Sequence, residues 1–224
     1  MATFFENTPD GFKRMICSAL RNALEVEMLE IMEEHAIEER DGYGQFRWNV
    51  IMSNLKGKCK FFGVCQRRAW RFPVVYYPEM DYLITFMTDE RLAEMQRKKD
   101  KGMHYLCAAS CWNRDVVAQE EQLRMDFPHA DIDDSWIKKS QEQMAECVDV
   151  DPKKVKGHIL VVFTCRSDVL TNVQAMRLTA NLDISTETEN WTSYIEQPYA
   201  EANTVIDPQI TMDDDDDEQM VSLK

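Results

Sequence analysis

The chain has 224 residues, 44% of them hydrophobic and 29% charged, and its net charge is −14. That length is enough to bury a proper core, and no run approaches the roughly 18 apolar residues that a membrane span requires. So strong an acidic excess also opposes long contact with DNA or RNA.

Met1 to Glu6 has neither the basic start nor the apolar stretch of a signal peptide, so a cytoplasmic protein is expected. Seven cysteines, an odd number without framework spacing, suit a reducing compartment, where they act as small apolar residues.

Residues 1–8 read as an N-terminal arm with little to anchor them. From Pro9 to His35, Phe12, Met15, Ile16, Ala19, Leu20, Ala23, Leu24, Met28, Ile31 and Met32 recur at three and four, which predicts one long amphipathic helix. Its other face carries Glu25, Glu27, Glu30, Glu33 and Glu34. A shorter helix is predicted over Phe46–Leu55 and a first strand over Cys59–Val64. Two β-rich runs flanking Pro78-Glu79-Met80 predict a hairpin. Thr88-Asp89-Glu90 opens a helix that closes on Arg97, Lys98 and Lys99, so both ends suit its dipole.

Helical structure is expected again from His104 to Val117 and after Asp134 or Ser135. The unbroken apolar run Ile159-Leu160-Val161-Val162-Phe163 has the character of a central strand covered on both faces. Arg166-Ser167-Asp168 turns it into a second hairpin ending near Leu178. The expected fold is α+β: a mostly antiparallel sheet of about five strands with helices against it, behind a long N-terminal helix. A single domain over 9–196 is followed by an acidic tail, 197–224. Asp213–Asp217 and Glu218 within it offer too little apolar surface to offset ordering, so disorder is expected there.

Charge is unevenly spread. Arg47 to Lys101 holds 12 Lys and Arg against 6 Asp and Glu, a balance of +6, which leaves −20 for the rest. Arg47, Arg67, Arg68, Arg71, Arg97, Lys98 and Lys99 are therefore the candidate patch for an anion or a partner. The same cluster is also what good helix design produces without any ligand.

Motifs for chemistry are sparse. His104, Cys107 and Cys111 share a helical side, but zinc needs a fourth ligand and the chain has no CxxC pair. Neither a phosphate-cradling glycine loop nor a GxSxG elbow occurs. Glu79 and Asp81, beside the basic stretch, are the acids that a magnesium-dependent nuclease would use, yet turn acids are common for conformational reasons alone. Trp70 and Phe72 alternate with Ala69 and Arg71, which suits a core strand better than base stacking.

Arg47-Trp48-Asn49 with Asn54-Leu55, Arg68-Ala69-Trp70-Arg71-Phe72, and Tyr82 to Met87 with Arg91-Leu92 carry a resemblance. It continues through His104-Tyr105-Leu106, Ile159 to Phe163, and Asn190-Trp191 with Tyr194-Ile195. Over Pro9–Ile195 the chain resembles an uncharacterised family of bacterial and phage-borne proteins, a domain of unknown function. The resemblance implies a bacterial or phage setting and attaches no activity.

The residues neither demand nor exclude catalysis. The expected function is a non-enzymatic, acidic interaction or regulatory protein, antitoxin-like or defence-inhibitor-like. Its expected partner is a protein with a basic surface. The alternative is a magnesium-dependent nucleic-acid-processing enzyme or a nucleic-acid-binding domain using residues 47–101. No cofactor, metal or membrane is expected.

Overall fold

Six strands, running through the described residues in chain order, form one mixed sheet with helices on both faces. The computed structural model describes residues 4–35, 43–67, 70–98, 104–116 and 134–195. Arg68, Lys99, the first three residues of the arm and the expected acidic tail lie outside them.

The N-terminal helical rod consists of α2 (Asp10–Arg21), a π-helical segment (Asn22–Glu27) and α3 (Met28–Glu34). Before it, α1 (Phe4–Asn7) anchors the arm by burying Phe5. A single aromatic carries no periodicity, so the sequence pattern did not show this anchor. Helix α4 (Tyr43–Lys58) lies beside the rod. Together they pack Ile16, Leu20, Leu24, Met28, Ile51 and Leu55 onto one face of the sheet.

The strands are β1 (Phe62–Arg67), β2 (Trp70–Tyr77), β3 (Tyr82–Thr88), β4 (Gly157–Arg166), β5 (Val169–Leu178) and β6 (Ile184–Asn190). Four of the five pairings are antiparallel and β3–β4 is parallel. A parallel pair needs a crossover, and α5 (Asp89–Arg97), α6 (Tyr105–Ser110) and α7 (Asp134–Glu146) lie within the connection between β3 and β4. They cover the second face.

The period of two sorts the side chains. Val75, Tyr77, Ile84, Phe86, Ile159, Val161 and Phe163 meet the rod and α4. Phe72, Val74, Leu83, Leu160 and Val162 meet the crossover helices. The central run in β4 is buried on both sides, as its unbroken apolarity predicts.

Phe72 is core, stacked on Tyr105 with ring centroids 3.8 Å apart. Gly63 in β1 is demanded by proximity, since a Cβ there would lie 2.0 Å from the carbonyl oxygen of Cys147. The α+β class therefore holds, with a sixth strand that hydrophobic patterning does not reveal.

Among the described residues no helix is long and apolar enough to cross a membrane. All seven cysteines are free thiols, four of them buried. Burial pushes the Cys17 thiol up to about 12 and that of Cys59 up to about 11, which makes both unreactive packing groups.

Candidate functional site

Among the described basic residues, Arg47, Arg71 and the Arg97–Lys98 pair do not converge on one surface. Arg47, on α4, is half-buried, with its guanidinium carbon 5.9 Å from the Tyr43 ring centroid. Arg67 ends β1 opposite Trp70, and Arg71 is exposed on β2 opposite Gln66. Arg97 is exposed at the end of α5, and Lys98 just beyond it pairs with Glu94 at 2.8 Å.

Helices α4 and α5 cover opposite faces of the sheet, which separates Arg47 from Arg97 and Lys98. Along the strands, the registers set Arg71 at the end where β3 finishes. The amide of Gln96 donates to the Leu182 carbonyl, which holds the end of α5 near the opposite end of the sheet. For Arg47, Arg71 and Arg97, closeness in sequence has not become closeness in space.

Asp81, the acid considered for magnesium, is committed to the fold. It adopts a positive φ of 60° in the β2–β3 turn, a conformation that Asp tolerates better than most residues. Tyr76 donates its hydroxyl to one carboxylate oxygen at 2.6 Å, and the Lys156 ammonium lies 2.7 Å from the other. The Lys156 amide also donates to the Asp81 carbonyl. Hydrogen bonds from Lys156 and Tyr76 hold the carboxyl below its ordinary range. Its stabilising effect is thus present above about pH 4 and is lost as acid protonates it.

Because Lys156 is solvent-exposed, Asp81→Asn should cost only about 0.5–1 kcal/mol in urea unfolding. It should also leave any nucleic-acid cleavage unchanged. A variant of intact stability that loses magnesium-dependent cleavage would make Asp81 a catalytic residue instead.

His104 serves as a cap, with Nδ1 accepting from the Leu106 amide. No cluster of three or more His, Cys, Asp or Glu side chains suited to a metal occurs among the described residues.

The feature that stands apart is the π-helical segment. Six residues in this geometry are unusual, since π turns occur mostly as single bulges and often at functional sites. A side-chain network holds it. The Asn22 amide donates to Glu27 at 2.9 Å and to Asn54 at 2.8 Å, and Asn54 donates to the other Glu27 oxygen at 2.9 Å. Glu25 takes Arg21 on one oxygen and the Leu170 amide on the other, both at 2.9 Å. These bonds fasten the segment to α4 and to the start of β5.

Two acids of the helix therefore face inward and are satisfied. Outward, Val26 is 42% exposed and Leu29 is 41% exposed. Leu170, whose amide reaches Glu25, is buried under the rod at the start of β5. Glu30, Glu33 and Glu34 follow on the exposed side, and none of the three forms an ion pair among the described residues. The result is an apolar patch next to exposed carboxylates, on a helix held by side-chain bonds.

Fold and surface together define an α+β protein with a mixed six-stranded sheet and an acidic, partly apolar helical face. The chain belongs to the DUF5986 family, a family of unknown function, whose model matches residues 6–224. That match runs beyond the Pro9–Ile195 stretch and takes in the acidic tail. Neither a curated protein nor a solved structure matches the chain.

Proposed function

We propose that this is a non-enzymatic interaction protein, of the regulatory, antitoxin or defence-inhibitor kind. Its partner is a protein with a basic surface, and Asn22–Glu34 is the face that meets it. The observation that carries this reading is the placing of exposed Val26 and Leu29 beside exposed Glu30, Glu33 and Glu34 on the helix end. An apolar centre supplies affinity, about 1.5–3 kcal/mol for each large side chain fully buried. Adjacent charge supplies steering and selectivity, with little cost to the free protein.

The test is affinity capture from the native host at low and high salt, with the wild type and with Leu29→Asn/Glu30→Lys/Glu33→Lys. The wild type should retain a protein in a salt-sensitive way. The variant should lose it, by roughly a hundredfold in affinity, while its melting curve stays close to that of the wild type. A partner held equally by both proteins would remove the helical face from the account.

A further inference from the structure

We propose that a cationic cleft between α7 and the approach to β4 binds a small phosphate-bearing ligand of the nucleotide class, with the ring against Trp112. The cleft has a volume of about 520 Å³, within the usual span of ligand sites. Its walls come from three sequence-distant pieces: Trp112 and Arg114 after α6, Lys138 on α7, and Lys153 and Lys156 before β4.

Four cations around one cavity repel each other, an arrangement that favours an anion between them. Arg114, Lys138 and Lys153 form no ion pair among the described residues. Lys156 is held by Asp81, but its side chain stays largely exposed. Of the two acids in the walls, Asp115 is already taken by Arg177 through two hydrogen bonds, at 2.7 and 3.1 Å, which leaves Glu142. A net positive cleft on a chain of charge −14 is a local reversal, and Arg and Lys are the side chains that grip phosphate oxygens.

Two further observations point to an organic ligand rather than a bare ion. Trp112 is half-buried against the core beside α6 and α7, so the indole that lines the cleft is firmly seated. An adjoining cavity of about 280 Å³ shares Arg114 in its wall and is also lined by Ser110. The Ser110 hydroxyl is fully buried and has no hydrogen-bond partner among the described residues. An orphaned hydroxyl beside a cavity needs a reason, and a polar group of a bound ligand supplies one.

The cleft is separate from the helical face, so the two readings stand or fall apart. The experiment titrates the full chain with ATP, pyrophosphate and adenosine, followed by tryptophan fluorescence and calorimetry. ATP should bind saturably, and roughly tenfold more tightly than pyrophosphate because the ring adds stacking. Lys138→Glu/Lys153→Glu should weaken ATP binding by about a hundredfold, and Arg71→Glu should not. Trp112→Leu should erase the preference for ATP over pyrophosphate.

Glu30→Lys/Glu33→Lys, on the helical face, should bind ATP as the wild type does. No saturable binding of ATP would overturn the proposal, as would equal binding by a folded Lys138→Glu/Lys153→Glu protein. Binding that emerged only after removal of residues 197–224 would also overturn it for the full chain, with the acidic tail then the natural occupant. Pyrophosphate binding as tightly as ATP, with no effect of Trp112→Leu, would overturn the nucleotide assignment.

Discussion

Replacing Glu189 by alanine should destabilise the protein by about 3 kcal/mol, because it strands a buried charge. Lys13 is only 4% exposed, and its ammonium lies 2.6 Å from one Glu189 oxygen. The other oxygen accepts the indole N–H of Trp191, also at 2.6 Å, and Trp191 is fully buried. What remains for Lys13 is the Phe5 carbonyl at 3.4 Å, a distant Asp10 carboxylate at 4.0 Å and the Tyr194 ring. None of these replaces a carboxylate in contact.

Removing the charge as well should recover part of the loss. Lys13→Met in the Glu189→Ala background should be about 1–2 kcal/mol more stable than Glu189→Ala alone. Urea unfolding of the wild type, Lys13→Met, Glu189→Ala and the double variant measures this directly. A cost below about 1 kcal/mol for Glu189→Ala would mean that water or another group reaches Lys13. The cluster is what ties the rod, the N-terminal arm and the last strand together.

A second large effect is expected with pH. His158 is fully buried, with Nε2 2.8 Å from the Thr85 hydroxyl. Burial first, and the nearby Arg177 charge second, push its pKa down to about 3. An unfolded histidine titrates near 6.5, so between these values only the unfolded chain takes up the proton. The contribution of neutral His158 is therefore complete above about pH 6.5 and is lost progressively as pH falls towards 3.

The slope is about 1.4 kcal/mol per pH unit, hence roughly 2 kcal/mol lost between pH 7 and pH 5. Relief of carboxylate repulsion acts over the same range, so the clean quantity is a difference. The stability of the wild type minus that of His158→Gln should fall by about 2 kcal/mol between pH 7 and pH 5. A constant difference would show that His158 becomes charged inside the fold.

The parts of the fold that the sequence made legible are those where apolar periodicity and burial coincide. The hairpin around Pro78-Glu79-Met80, the β4 run and the rod are of this kind. Strand β6 was hidden for the opposite reason. Its inward positions, Ser185, Glu187 and Glu189, are polar and are satisfied by Arg177, Lys13 and Trp191. A strand that buries hydrogen-bonded polar groups has the signature of a loop.

The basic stretch illustrates a different limit. Residues 47–101 are cationic as a count, but α4 and α5 cover different faces of the sheet and carry Arg47 and Arg97 apart. The cationic cleft, by contrast, gathers Arg114, Lys138 and Lys153 from segments that no local count would join.

The helical face did leave a trace. Val26 and Leu29 lie off the stripe formed by Ala23, Leu24 and Met28, and so are apolar residues on an acidic side. The π turn that fixes them needed the structure, because Asn22, Asn54 and Glu27 meet across two helices.

Hydrogen exchange on the complex captured from the native host tests the central claim most directly. Backbone amides of the rod are already protected by helix, so the informative readout is the further slowing that a docked partner adds. The account predicts slowing concentrated in Asn22–Glu34, and its disappearance with Leu29→Asn/Glu30→Lys/Glu33→Lys. Slowing confined to other surfaces, with residues 22–34 unchanged on binding, would contradict it.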